Sequence, residues 1–166
     1  MNLLILGPGS SLNHNTDMII ECSDRMSTLA FQNVFPNCLT HFNIIADLWL
    51  SGDPNAYIEG FEFLLERVEN KKSFHKMKIL IPSIFTKGLT EYRRYCGTTP
   101  LLRTPGAWAY FEGLLGKVTQ HYSVEVLECT TTKYIKNTSD PIGHQIFESD
   151  SFMRFMHHLP ILGTIP

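Results

Sequence analysis

Leu3-Leu4-Ile5-Leu6-Gly7-Pro8-Gly9-Ser10-Ser11-Leu12 is the stretch on which the reading of this chain turns. Four consecutive apolar residues leave no polar face, the mark of a strand buried on both sides within a parallel sheet. The run stops at two glycines one residue apart. Glycine lets backbone approach a ligand closely, and a helix starting just beyond would aim free N–H groups at an anion, with the Ser10 and Ser11 hydroxyls alongside. Two readings compete at Gly7 to Leu12: a tight structural turn, or an anion-binding loop of the nucleotide type. No lysine follows, so the Walker pattern is absent. A third glycine is also missing, so the dinucleotide fingerprint is incomplete.

Downstream, a weaker apolar stretch from Thr28 to Val34 predicts a second strand. Phe42 to Leu50 predicts a third, stopped by Ser51-Gly52-Asp53-Pro54-Asn55, a strong turn signal. Tyr57, Phe61, Leu64, Leu65 and Val68 recur at helical spacing through Glu69, with Glu59, Glu62, Glu66 and Arg67 on the other side. Met77 to Ile81 reads as a strand closed by Pro82. A short helix is expected over Leu89 to Cys96 and a longer one over Pro105 to Tyr122, where a first-turn proline has no N–H to lose. Ser123 to Cys129 alternates like a strand. A last helix, capped by Ser149 or Asp150, would carry Phe152, Phe155, Met156 and Leu159. Alternating strands and helices predict a Rossmann-like, mostly parallel sheet with helices on both faces, one domain over residues 1–166.

A chain of 166 residues buries a core without staples. Its 14 basic and 16 acidic residues are scattered, with no basic block beyond Lys71-Lys72 and Arg93-Arg94, which argues against a duplex-DNA binder. Cys22, Cys38, Cys96 and Cys129 form no Cys-x-x-Cys pair, so neither a zinc ribbon nor a thioredoxin-type centre is indicated, and all four are expected reduced. No apolar run reaches bilayer-spanning length and no secretory signal is visible. The expected compartment is the cytoplasm, a peripheral position at the inner membrane face included.

In parallel sheets ligands collect beyond the carboxyl ends of the strands, and each polar cluster of this sequence falls at such an end. Asp53-Pro54-Asn55 is a turn plus helix cap or, on the functional reading, a pair of side chains gripping a ribose or base. Asn33, among Phe31, Val34 and Phe35, is a turn residue or a nucleoside contact. His144, in Asp140-Pro141-Ile142-Gly143-His144, offers a proton carrier near neutral pH in a loop before the last helix. The remaining six histidines read as bystanders. No Asp-x-Asp pair is present to hold a divalent ion; were a metal required, Asp47 and Asp53 would be the first ligands to test.

Taken in order, these pieces resemble the bacterial sialyltransferases of glycosyltransferase family forty-two. Gly7-Pro8-Gly9-Ser10-Ser11-Leu12 is similar to that family's opening Gly-x-Gly-Pro-Ser-Leu loop, with Ser10 in place of its proline. Phe31-Gln32-Asn33 resembles its Arg-x-Asn element, and Asp53-Pro54-Asn55 its Asn/Asp-Pro turn. Arg103-Thr104-Pro105-Gly106 is similar to its Thr-Ser-Gly turn, Pro105 replacing the serine. Cys129 to Tyr134 keeps only the tyrosine of its Ser-Gly-x-Asp-x-Tyr segment. Pro141-Ile142-Gly143-His144 resembles its Tyr-Ile-Gly-His motif without the tyrosine. Archaeal-type pterin diphosphokinases and motility accessory factors share the opening loop.

The resemblance implies a metal-independent glycosyltransferase with no cofactor, taking a nucleotide sugar, CMP-sialic-acid-like, as donor and a glycan as acceptor. The donor phosphate would lie over Gly7, Gly9, Ser10, Ser11 and Tyr134. Asn33, Asp53, Asn55, Thr104 and Gly106 would hold the nucleotide, and His144 would be the general base. The alternative is a non-catalytic binding or assembly protein that keeps the fold. Its apolar end, Leu159 to Pro166, would suit a tail docking on a neighbouring subunit of a homo-oligomer. A nucleotide-using transferase of another type, such as a diphosphokinase, is the third reading.

Overall fold

The computed structural model of the protein describes residues 2–35, 38, 42–69, 74, 76–95, 104–128 and 161–165. Strand β1, Leu3–Leu6, is the apolar run itself. A short 3-10 turn over Ser10–His14 leads into helix α1, Thr16–Ser23. Then follow β2 (Ser27–Phe31), β3 (Leu48–Leu50), α2 (Pro54–Leu65), β4 (Lys78–Pro82), a 3-10 turn at Ser83–Phe85, α3 (Leu89–Tyr95), α4 (Pro105–Val118), β5 (Ser123–Leu127) and β6 (Ile161–Ile165).

The six strands form one sheet in the order β5-β4-β3-β2-β1-β6, and each neighbouring pair is parallel. The Rossmann-like α/β reading therefore holds. From β1 to β5 every step moves in the same direction across the sheet. A right-handed crossover then brings the intervening helices to one face. The return to β6, on the far side of β1, reverses the direction. The predicted last helix lies outside the described residues.

Register fixes which side chains meet the helices. Trp49 pairs with Ala30 and Ile79 and packs on Tyr57 and Phe61 of α2, at ring-centroid distances of 5.1 and 5.8 Å. Helix α2 buries Tyr57, Gly60, Phe61 and Leu64 on the strip that faces the sheet. Gly60 is required there: a Cβ on it would lie 2.1 Å from Cη2 of Trp49. Helix α4 buries Trp108, Phe111, Leu114 and Val118, and its Phe111 stacks on Phe61 at 6.0 Å. The Tyr122 hydroxyl, beyond α4, donates to the Leu64 carbonyl at 2.8 Å and ties the approach to β5 to the end of α2. The other side of the sheet is dry too, for Leu3, Leu29 and Leu50 are fully buried.

Polar groups join the amino ends of β2 and β3. Asp47 Oδ2 accepts the Thr28 N–H at 2.8 Å, and the Asp47 N–H donates to Thr28 Oγ1 at 3.1 Å. Thr28 is almost fully buried, so both its backbone and its hydroxyl need these partners.

Several expectations are corrected. The predicted third strand over Phe42 to Leu50 shrinks to three residues: Asn43 takes a left-handed φ of 54°, and at Asp47 side-chain bonds with Thr28 stand where ladder bonds would be. Helix α2 starts earlier than Tyr57, at Pro54, because Asp53 caps it. The apolar end is not a docking tail: Ile161–Ile165 is a strand paired with β1, covering an edge that would otherwise be open. Among the described residues no helix is long and apolar enough to cross a membrane.

Candidate functional site at the carboxyl edge

With all strands parallel, the residues following each strand emerge at one edge of the sheet. Gly7 to Gly9 follow β1, Gln32 and Asn33 follow β2, and Ser51 to Asp53 follow β3. Helix α4 returns from this edge to the start of β5, so its first residues, Thr104 to Gly106, begin there as well. Strand order reverses between β1 and β6. The glycine loop thus leaves the sheet at the switch point, where parallel sheets open a crevice for ligands. The sequence-derived candidates Gly7, Gly9, Ser10, Ser11, Asn33, Asp53, Asn55, Thr104 and Gly106 share this edge. Tyr134 and His144 lie outside the described residues.

The loops differ in how they are held. Gly9 is extended (φ −145°, ψ 147°), and its carbonyl accepts the Leu12 N–H at 3.2 Å. A Cβ on Gly7 would meet nothing within 4 Å, so open space borders the loop. After β2 the chain turns through Gln32 at a left-handed φ of 57°. That turn is pinned by β3, since the Gln32 N–H donates to the Leu50 carbonyl at 2.9 Å and Trp49 Nε1 donates to the Gln32 carbonyl at 2.8 Å. Asn33, next along, is exposed.

The loop after β3 is heavily bonded. Asp53 Oδ1 accepts the Asn55 N–H at 2.9 Å and so caps α2, while Ser51 Oγ accepts the Asp53 N–H at 2.9 Å. The fully buried Tyr57 hydroxyl accepts the Ser51 N–H at 2.9 Å and donates to the Leu80 carbonyl. Thr104 Oγ1 likewise accepts the Ala107 N–H at 3.2 Å, capping α4. The turn-and-cap reading of Asp53 is therefore correct. Ser51 and Tyr57 escaped the sequence reading because their partners are mostly backbone groups, which leave no pattern of residue types.

Other chemistry is narrower. Burial pushes the Cys38 thiol up to about 12, so it stays protonated and unreactive at neutral pH. Asp47 and Asp53, the pair named for a metal, sit at opposite ends of β3 and do not converge. Among the described residues no group of three His, Cys, Asp or Glu side chains is placed to hold a metal ion. A cleft of about 530 Å³ opens at the amino edge, between the end of α1 and the start of β3, lined by Ser23, Asp24, Thr28, Asn43, Asp47 and four apolar residues. Among the described residues two carboxylates and no cation line it, which disfavours a phosphate. It is also at the opposite edge from the glycine loop.

The fold and this edge define a parallel α/β domain with a glycine loop at its switch point. No protein-family model, no curated protein and no solved structure matches the chain.

Proposed function

We propose that the protein binds a nucleotide-activated sugar across the carboxyl edge of its sheet and transfers the sugar to an acceptor hydroxyl without a metal ion. The observation that carries this reading is the position of the Gly7 to Ser11 loop, at the point where strand order reverses and beside open space at Gly7. Backbone N–H groups of the loop and of the turn that follows would take the donor phosphate. Asn33, the carboxylate of Asp53, Asn55 and the start of α4 at Thr104 and Gly106 would hold the nucleoside, which is CMP-linked by the resemblance. The acceptor oxygen attacks the anomeric carbon, the bond from that carbon to the phosphate oxygen breaks, His144 takes the hydroxyl proton, and the nucleotide leaves. Hydrogen-bond donors rather than a cation then stabilise the leaving charge.

The test is a nucleotide-binding screen with CMP, UDP, GDP and ATP, followed by transfer assays on His144→Ala. Loss of a positioned base costs about 10²–10⁴-fold in rate. The variant is expected to bind nucleotide normally and turn over at that reduced level, with wild-type activity persisting in EDTA. A second reading, a non-catalytic binding or assembly protein, is favoured by one observation: Asp53 and Thr104 already cap their helices. Under it, wild-type protein transfers nothing in the same assay.

A further inference from the structure

We infer that Tyr57 is the positioning residue for the nucleoside side of this site, an inference that rests on the nucleotide reading above. Strands β3 and β4 pair as far as Leu50 and Leu80, after which β3 ends while β4 runs on to Pro82. At this fork the ladder can no longer satisfy the Ser51 N–H or the Leu80 carbonyl. The Tyr57 hydroxyl, reaching back from the first turns of α2, accepts from the first and donates to the second. Ser51 and Tyr57 are both fully buried, so no water competes for these bonds. Ser51 in turn grips the Asp53 backbone at both ends, its Oγ donating to the Asp53 carbonyl at 3.0 Å and accepting the Asp53 N–H at 2.9 Å. Asp53 then fixes Asn55 through the cap. One phenol thus sets the strand fork, the serine, the aspartate and the asparagine in a single chain of bonds.

The aromatic ring is held independently of that hydroxyl. It packs against Trp49, Phe61 and Phe85 at centroid distances of 5.1 to 5.6 Å. Tyr57→Phe therefore keeps the packing and removes only the bridge. The glycine loop after β1 lies two strands away, so the phosphate side of the site is expected to be unaffected.

The experiment is calorimetric titration of wild type and Tyr57→Phe, well below either melting temperature, with CMP, UDP, GDP and ATP, with the nucleoside of whichever binds, and with inorganic pyrophosphate. Losing one bond's worth of positioning lowers nucleotide and nucleoside affinity about tenfold. Pyrophosphate affinity is expected to stay the same. A folded Tyr57→Phe that binds the nucleotide as wild type does, with only its melting temperature lowered, overturns the positioning role and leaves the nucleotide reading standing. Wild type that binds none of the four nucleotides overturns both. Should Tyr57→Phe not fold, Ser51→Ala breaks the same chain one link further on and is expected to show the same split between nucleoside and pyrophosphate; equal affinities there overturn the inference.

Discussion

A Cβ built on Gly60 would lie 2.1 Å from Trp49 Cη2 and 2.6 Å from Cζ2, whereas one built on Gly7 would meet nothing within 4 Å. The two glycines mark two regions of the molecule. Around Gly60, rings from β3, α2 and α4 fill all the space, so the missing side chain is a packing requirement. Around Gly7 the fold leaves room, and its φ is not in the left-handed region that favours glycine. Nothing inside the described protein requires a glycine there. A ligand approaching the backbone would.

The largest effect should come from closing the first space. Gly60→Ala drives a methyl group into Trp49, which cannot retreat: Phe35 lies 4.7 Å from it, Tyr57 5.1 Å, and its indole N–H is bonded to Gln32. Overpacking of this kind is expected to cost about 3 kcal/mol in chemical denaturation. A loss under about 1 kcal/mol would mean that the ring shifts freely and that the contrast with Gly7 is overstated.

Thr104→Ala removes the cap of α4, an exposed helix start at the same edge as Gly7. A stability loss of about 1 kcal/mol is expected. If denaturation midpoints instead coincide while nucleotide affinity falls, Thr104 serves ligand rather than helix.

Smaller still is the effect of an exposed contact between α2 and α4, in which the Tyr110 hydroxyl donates to Glu62. That bond, with lesser help from burial and from the charge of Glu62, holds the phenol above its ordinary value of 10.0. A raised folded value means that the contact stabilises fully below the ordinary phenol range and loses that contribution as pH rises through the raised value. Spectrophotometric titration of wild type against Tyr110→Phe should therefore remove a late-ionising phenol. Removal of an early one would contradict the assignment.

How far the sequence foretells this molecule depends on whether its signals are local. Leu3–Leu6 has the same bounds in both readings because four apolar residues followed by glycine leave little choice. Pro105 starts its helix as expected. Helix α1 was not foreseen. Its three apolar residues Met18, Ile19 and Ile20 are consecutive, only Ile19 is buried, and no helical period shows. Phe42, Ile44 and Ala46 alternate like a strand and are buried, yet Asn43 breaks the backbone, so the pattern reports burial and not pairing. The role of Ile161–Ile165 depends on an open edge at β1, a fact of topology that no local window contains. At the candidate site, the glycines and the cap at Asp53 were legible from residue type. The Tyr57 bridge was not, since its partners are backbone groups more than twenty residues away on one side and six on the other.

Gly7→Val puts the comparison to its most direct test, because a Cβ there meets nothing within 4 Å of the protein, whereas a phosphate held against the loop backbone would meet it. Melting temperatures of wild type and Gly7→Val are measured with and without each of CMP, UDP, GDP and ATP. A nucleotide at a hundred times its dissociation constant stabilises wild type by about 2.7 kcal/mol. The expected result is an unchanged melting temperature for the free variant and loss of the nucleotide-induced shift. A variant that folds normally and keeps the full shift would contradict a phosphate site at the loop after β1, and no shift in wild type with any of the four would contradict nucleotide binding altogether.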